Sequence, residues 1–94
     1  MQIGLLTLQI HLHAASCLKD KRRVVKSLLG RVRAKHNVAV AEIDHQDLIQ
    51  RAEVAFVGVA RRRESLELMF DSIVTEAESH TEGDVIELER EYLG

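Results

Sequence analysis

The apolar residues of this chain switch between a two-residue and a roughly 3.6-residue period, and the order of those switches limits the fold more than anything else in the sequence. From Ile3 to His13, Leu6, Leu8, Ile10 and Leu12 fall at every second position, with Leu5, Thr7, Gln9, His11 and His13 between them. That alternation predicts a half-buried strand with a partly apolar second face. From Lys19 to Lys35 the spacing changes: Val24, Val25, Leu28, Leu29 and Val32 share one helical stripe, with Leu18 at its start. Ser16 or Cys17 would cap this helix, and the hydroxyl of Ser16 is the better cap. A second strand rich in Val and Ala runs from Asn37 to Ile43, followed by a polar turn from Asp44 to Ile49. A third strand, Arg51 to Ala60, is built around Val54, Phe56, Val57 and Val59. Helical spacing returns from Arg62 to Ser79, with Leu66, Met69, Phe70, Ile73 and Ala77 on its buried face. Glu82-Gly83-Asp84 then turns into a last strand, Val85 to Tyr92, where Ile86 and Leu88 alternate with Glu87, Glu89 and Glu91.

The predicted order is βαββαβ. Short elements in that order are best satisfied by an α+β, ferredoxin-like arrangement: a four-stranded antiparallel sheet in the order 4-1-3-2, with right-handed crossovers and both helices on one face. A swapped or incomplete sheet completed by a partner is the alternative. Residues 1–94 are expected to form one domain. The core must be aliphatic, because Phe56, Phe70 and Tyr92 are the chain's only aromatic residues outside the histidines. Cys17 is the single cysteine, which rules out an internal disulfide and suggests a reducing compartment. No apolar run approaches the roughly 20 residues of a membrane span. The N-terminal segment alternates and lacks a basic start or cleavage site, so it does not read as a signal peptide. A cytoplasmic protein with no membrane partner is expected.

The run Cys17-Leu-Lys-Asp-Lys-Arg-Arg-Val-Val-Lys-Ser-Leu28, followed by His36-Asn-Val-Ala-Val-Ala-Glu-Ile-Asp-His-Gln-Asp-Leu-Ile-Gln-Arg-Ala-Glu53, resembles the YlxP-like family of small bacterial domains of unknown function. The resemblance runs from the Ile3-Gly-Leu-Leu-Thr-Leu8 opening to the closing Glu87-Leu-Glu-Arg-Glu-Tyr-Leu93. It implies a ferredoxin-like fold and a gene that in many bacteria sits among those for translation initiation and ribosome maturation. It implies no catalytic residue and no cofactor. The chain departs from the family pattern at Cys17, where serine is usual, at His36, where phenylalanine is usual, and at Ile49, where tryptophan is usual.

The net charge of −2 conceals a division. Met1 to Arg63 carries 12 basic and 5 acidic residues, whereas Glu64 to Gly94 carries 1 basic and 10 acidic ones. On the first helix, Lys19, Arg22, Arg23, Lys26 and Arg33 cluster opposite the apolar stripe. Gly30 lies on that exposed face at a cost of about 1 kcal/mol relative to alanine, where it would let a phosphate backbone approach. The predicted topology would bring Arg31, Arg33 and Lys35 near Arg61, Arg62 and Arg63. These ten residues are the candidate nucleic-acid-binding set, with RNA or ribosomal particles as partners. Phosphate contacts of this kind add salt-dependent, sequence-independent affinity. The ordinary alternative is a solvated helix face that keeps the domain soluble.

Other features point less sharply. Glu64, Glu67, Asp71 and Glu78 would form an acidic stripe on the second helix, enough to confine a polyanion to the basic pole or outer edge. The sheet offers Thr7, Gln9 and His11 where single-stranded RNA readers of this topology place stacking aromatics, and Phe56 is expected to face the core. Leu5 with Val57 or Val59 could form an open apolar sheet face that a second copy covers, giving a homodimer that binds a small ligand or protein. His11 and His13, with His45, His80, Asp44 and Asp47, lack the spacing of a closed zinc set. Pairing of His11 or His13 with carboxylates of the last strand is the ordinary expectation. Cys17 at a helix start has no base beside it, and no phosphate loop or nucleophile elbow appears. A non-enzymatic module without cofactor or metal is the reading that remains.

Overall fold

A computed structural model describes residues Met1–Gly94. The strands are β1 (Gln2–His11), β2 (Val38–Asp44), β3 (Arg51–Ala60) and β4 (Asp84–Leu93), and the helices are α1 (Leu18–Lys35) and α2 (Arg63–Thr81). The sheet is antiparallel throughout in the order β2-β3-β1-β4, the ferredoxin-like arrangement that the period switches predict. Leu6, Leu8 and Ile10 of β1 meet Ala52, Val54 and Phe56 of β3 on the helix side, and all six are fully buried. Val25, Leu28 and Val32 from α1 and Leu66, Phe70, Ile73 and Ala77 from α2 close the core above them.

Two glycines decide how closely α2 seats. Gly4 and Gly58 face each other across β1 and β3. A Cβ on Gly4 would stand 2.8 Å from the Phe70 ring, and one on Gly58 would stand 2.7 Å from the Met69 methyl. The missing side chains form a hollow under the first half of α2, which Phe70, Leu66 and Met69 fill.

Both edge strands carry bulges. The register of β4 against β1 shifts between Thr7 and Leu8, leaving Leu88 unpaired, and that of β2 against β3 shifts between Glu42 and Asp44, leaving Ile43 unpaired. The simple alternation read into the last strand therefore breaks at Leu88. Ile86 and Leu88 are both exposed, while Val85 and Tyr92 pack on the core. Bulges at sheet edges twist the free edge and discourage further pairing.

The start of α1 departs from expectation at its cap and holds a buried charge that the sequence left unassigned. Cys17, in extended conformation, is the N-cap, and no side chain caps the helix. Ser16 instead donates its hydroxyl to Asp20 Oδ2 at 2.9 Å, because the carboxylate three residues into the helix reaches back to it. Lys21, assigned neither to the apolar stripe nor to the candidate cationic face, is completely buried. Its ammonium donates to the carbonyl of His45 at 2.6 Å and lies 2.8 Å from Glu42 Oε2. His45 holds a left-handed backbone, φ 64°, and its carbonyl also accepts from the Leu48 amide. One side chain thus ties the first turn of α1 to the end of β2 and to the turn beyond it.

Breaking a buried pair by removing one partner costs about 3–5 kcal/mol, whereas replacing both by apolar groups is often neutral. Glu42→Leu should therefore destabilise the chain strongly in urea unfolding. Lys21→Met combined with Glu42→Leu should recover most of that loss.

Candidate functional site

The thirteen lysines and arginines divide by whether the fold supplies them a carboxylate. Lys21 is buried against Glu42. Arg23 pairs with Asp20 at 3.1 Å. Lys35 and Arg31 both reach from α1 to Glu76 of α2, Arg31 at 3.4 Å. Arg63 pairs with Glu67 at 3.0 Å and lays its guanidinium over the Tyr92 ring at 4.3 Å. Arg90 bridges β4 to α2, contacting Asp71 at 2.9 Å and Glu87 at 2.7 Å above the face of Phe70. No carboxylate pairs with the remaining seven, and four of those, Lys19, Arg22, Lys26 and Arg33, lie on one exposed face of α1.

Helix geometry gives this stripe its dimensions. Fourteen residues separate Lys19 from Arg33, about 21 Å along the axis at 1.5 Å per residue. Beside it, α1 and the edge strand β2 enclose a groove of about 270 Å³, with Val25, Leu29 and Val40 as its floor. Arg22, Lys26 and Arg33 line one wall, and Glu42 closes the end near Lys21. Gly30 stands on the same exposed side, where an added Cβ would meet nothing within 4 Å. No packing inside the molecule requires a glycine there.

The ten candidate cations do not form one patch. Arg31 and Lys35 are turned toward α2, and Glu76 neutralises them. The Lys35 hydrogen bond, reinforced by Arg31, holds the Glu76 carboxyl below its ordinary range against an opposing effect of burial. The Arg61–Arg63 corner does not join the C-terminal end of α1. His36, just past that end, lies against Ser72, and Arg63 is nine residues earlier on α2, about 13 Å along its axis. Arg63 is occupied over Tyr92 of β4, at the sheet edge farthest from β2. The topology places both segments at one pole, but α2 overhangs α1 by more than two turns. Of the acidic stripe read on α2, Glu67 and Asp71 are engaged with Arg63 and Arg90. The carboxylate that matters most at the helix interface, Glu76, was outside that stripe.

The open sheet face is unsuited to a polyanion. Thr7, Gln9 and His11 lie there as expected, and Phe56 is buried on the other side. In β4, the partners of Leu5 and Thr7 are Glu91 and Glu89. Contact with Glu91, together with burial and the charge of Glu53, raises the Glu89 carboxyl above its ordinary range. A histidine does pair with a carboxylate here, but it is His13, in the turn after β1, with Asp84 at the start of β4, 2.7 Å apart, and not a histidine with a strand glutamate. His80 of α2 meets Ser27 of α1 at 3.0 Å.

Residues 3–90 match the family model described as a protein of unknown function (DUF503). The chain is 32% identical over 80 residues to the uncharacterized protein YlxP of Bacillus subtilis (strain 168), covering 85% of this chain and 87% of that protein. The chain belongs to this family. No helix is long and apolar enough to cross a membrane.

Because the folded Glu76 carboxyl titrates below its ordinary value of 4.5, its contribution is present above that pH and is lost as the pH falls through the lower folded value. Urea unfolding at neutral and acid pH should show Glu76→Gln to be less stable than the parent at neutral pH. The variant should also lose less stability than the parent on acidification.

Proposed function

We propose that this chain is a non-enzymatic cytoplasmic module that binds the phosphate backbone of RNA, on ribosomal particles, through the Lys19–Arg33 face of α1. The observation that carries this reading is the selective pairing of charge. Six basic residues have carboxylate partners inside the fold, while four unpaired ones remain aligned over about 21 Å beside an open groove. A face left unpaired in this way is matched to a row of phosphates. Arg23 flanks the row, with Asp20 competing for its charge. Arg61 and Arg62 form a separate, smaller contact point, and Arg31, Lys35 and Arg63 leave the interface. Contacts to the backbone, without base stacking, fit a sheet whose central strands expose no Phe, Tyr or Trp. The resemblance to a family associated with translation genes supports RNA over other polyanions.

Four phosphate contacts give a slope of log affinity against log salt of about −2.8 on a single strand. Affinity for an RNA oligomer should therefore fall about 50-fold between about 50 and 200 mM salt. Arg22→Ala with Lys26→Ala should roughly halve that slope. Salt-independent binding, or binding that the double substitution leaves unchanged, would overturn the reading.

A second reading, a homodimer that binds a small ligand or protein partner, draws on the open sheet face. There Val57 and Val59 remain 41% and 53% exposed, and Leu93 is 67% exposed. With Ile3, Leu5 and Glu91, Val57 and Leu93 border a shallow groove of about 230 Å³. Light scattering should then show a dimer that Val57→Glu dissociates. A monomeric parent chain would exclude it.

A further inference from the structure

We infer that His11, His13 and Asp84 form a binding site for a divalent first-row transition-metal ion of the zinc class. A nitrogen from each imidazole and an oxygen of the carboxylate lie within 4.8 Å of one another. The two rings stand 4.2 Å apart between centroids and are tilted by 40°. His13 Nε2 already lies 2.7 Å from Asp84 Oδ2. A tetrahedral ion with bonds of about 2.0–2.1 Å holds its ligand atoms about 3.3 Å apart. Loading this site needs the His13–Asp84 pair, both exposed, to open by less than an ångström and the half-buried His11 ring to turn toward them.

The backbone fixes where these groups meet. His11 ends β1 and Asp84 begins β4, and the two are direct partners across the ladder. Gly83, one residue earlier, lies so close to the His11 carbonyl that a Cβ there would collide with it. The close passage is therefore available only to glycine, and it sets Asp84 beside the histidine. His13 arrives from the turn that follows β1. Two imidazoles and one carboxylate favour zinc, cobalt or nickel over magnesium or calcium, which prefer all-oxygen sets. Three protein ligands leave a coordination position for water or an added ligand. His11 also borders a wide, open surface hollow of about 740 Å³, with Ser16, Gln50 and Arg51. His11 and Arg51 both face this hollow, so an anionic group bound there would meet Arg51 and one of the proposed ligands.

The second cluster of this type, Asp44, His45 and Glu53, is a poorer candidate. Its one imidazole faces Asp44 with Nδ1 and Glu53 with Nε2, each at 3.9 Å, so the carboxylates sit at opposite nitrogens. The backbone of His45 is also committed to Lys21.

The test is calorimetric titration of the untagged, metal-stripped full chain with zinc chloride, together with visible absorption on addition of cobalt(II). One ion per chain is expected. His11→Asn and His13→Asn should each weaken binding at least about tenfold, the scale seen when even an outer partner of a metal site is lost. His36→Ala and His80→Ala should leave binding unchanged. Thermal melts identify the substituted chains that remain folded, and His13→Asn, which alters an exposed turn residue, is the variant expected to tolerate the change best. Absence of saturable one-to-one binding, or binding that His13→Asn leaves unchanged in a folded chain, would overturn the assignment.

Discussion

Lys21 occupies a position that the apolar stripe of α1 reserves for an aliphatic residue, four before Val25 and seven before Leu28. An ammonium taken out of water there must find a counter-charge and acceptors, and only one arrangement of the neighbouring chain provides them. Glu42 has to stand at the end of β2, and the carbonyl of His45 has to turn inward through a left-handed backbone. The charge therefore fixes the lateral position of α1 against the edge strand. The basic stripe and the groove beneath it inherit their geometry from that pin. A hydrophobic residue at position 21 would pack without directional demands and would leave the β2–β3 turn free to choose another conformation.

The same preference of charges for partners sorts the surface. Glu76 neutralises Arg31 and Lys35 at the helix interface, Asp71 and Glu87 hold Arg90 against α2, and Arg63 is drawn to Glu67 and Tyr92. What remains unpaired on α1 is a row, not a cluster. Its position at the outer edge, away from the carboxylates of β4, matters because fields of opposite sign within a Debye length of roughly 8 Å partly cancel. The two faces of the molecule are thus suited to different partners: a cationic helical edge on one side, an apolar and acidic sheet on the other.

The mixture of apolar and acidic residues on the open face depends on a single unpaired residue. The bulge at Leu88 resets the alternation of β4, so Ile86 and then Glu89 and Glu91 fall opposite the open-face residues of β1. Without the reset, the side chains on either side of Leu88 could not occupy these faces together, since antiparallel partners share a face. The crowding that raises Glu89 follows directly from Glu91 two residues on and Glu53 across the sheet. At the opposite end, the passage of Gly83 past His11 brings Asp84 beside two imidazoles.

The element order, the topology and most of the core were legible in the sequence. The apolar periods at Leu6–Leu12, Val24–Val32 and Leu66–Ala77 each have one geometrical solution, and the βαββαβ order then restricts how the elements join. Lys21 was legible in principle, because the spacing that identifies the stripe includes it, but composition weighs a lysine as exposed. Glu76, the bulge at Leu88 and the separation of Arg61–Arg63 from the end of α1 were not legible. Each depends on how far one element extends past another or on the register between strands, and no local pattern encodes either. The sequence by itself determined which residues turn inward and how many cations the chain carries. Only the tertiary structure decided which of those cations stay unpaired, because a charge is neutralised by whatever the fold places within a few ångströms of it.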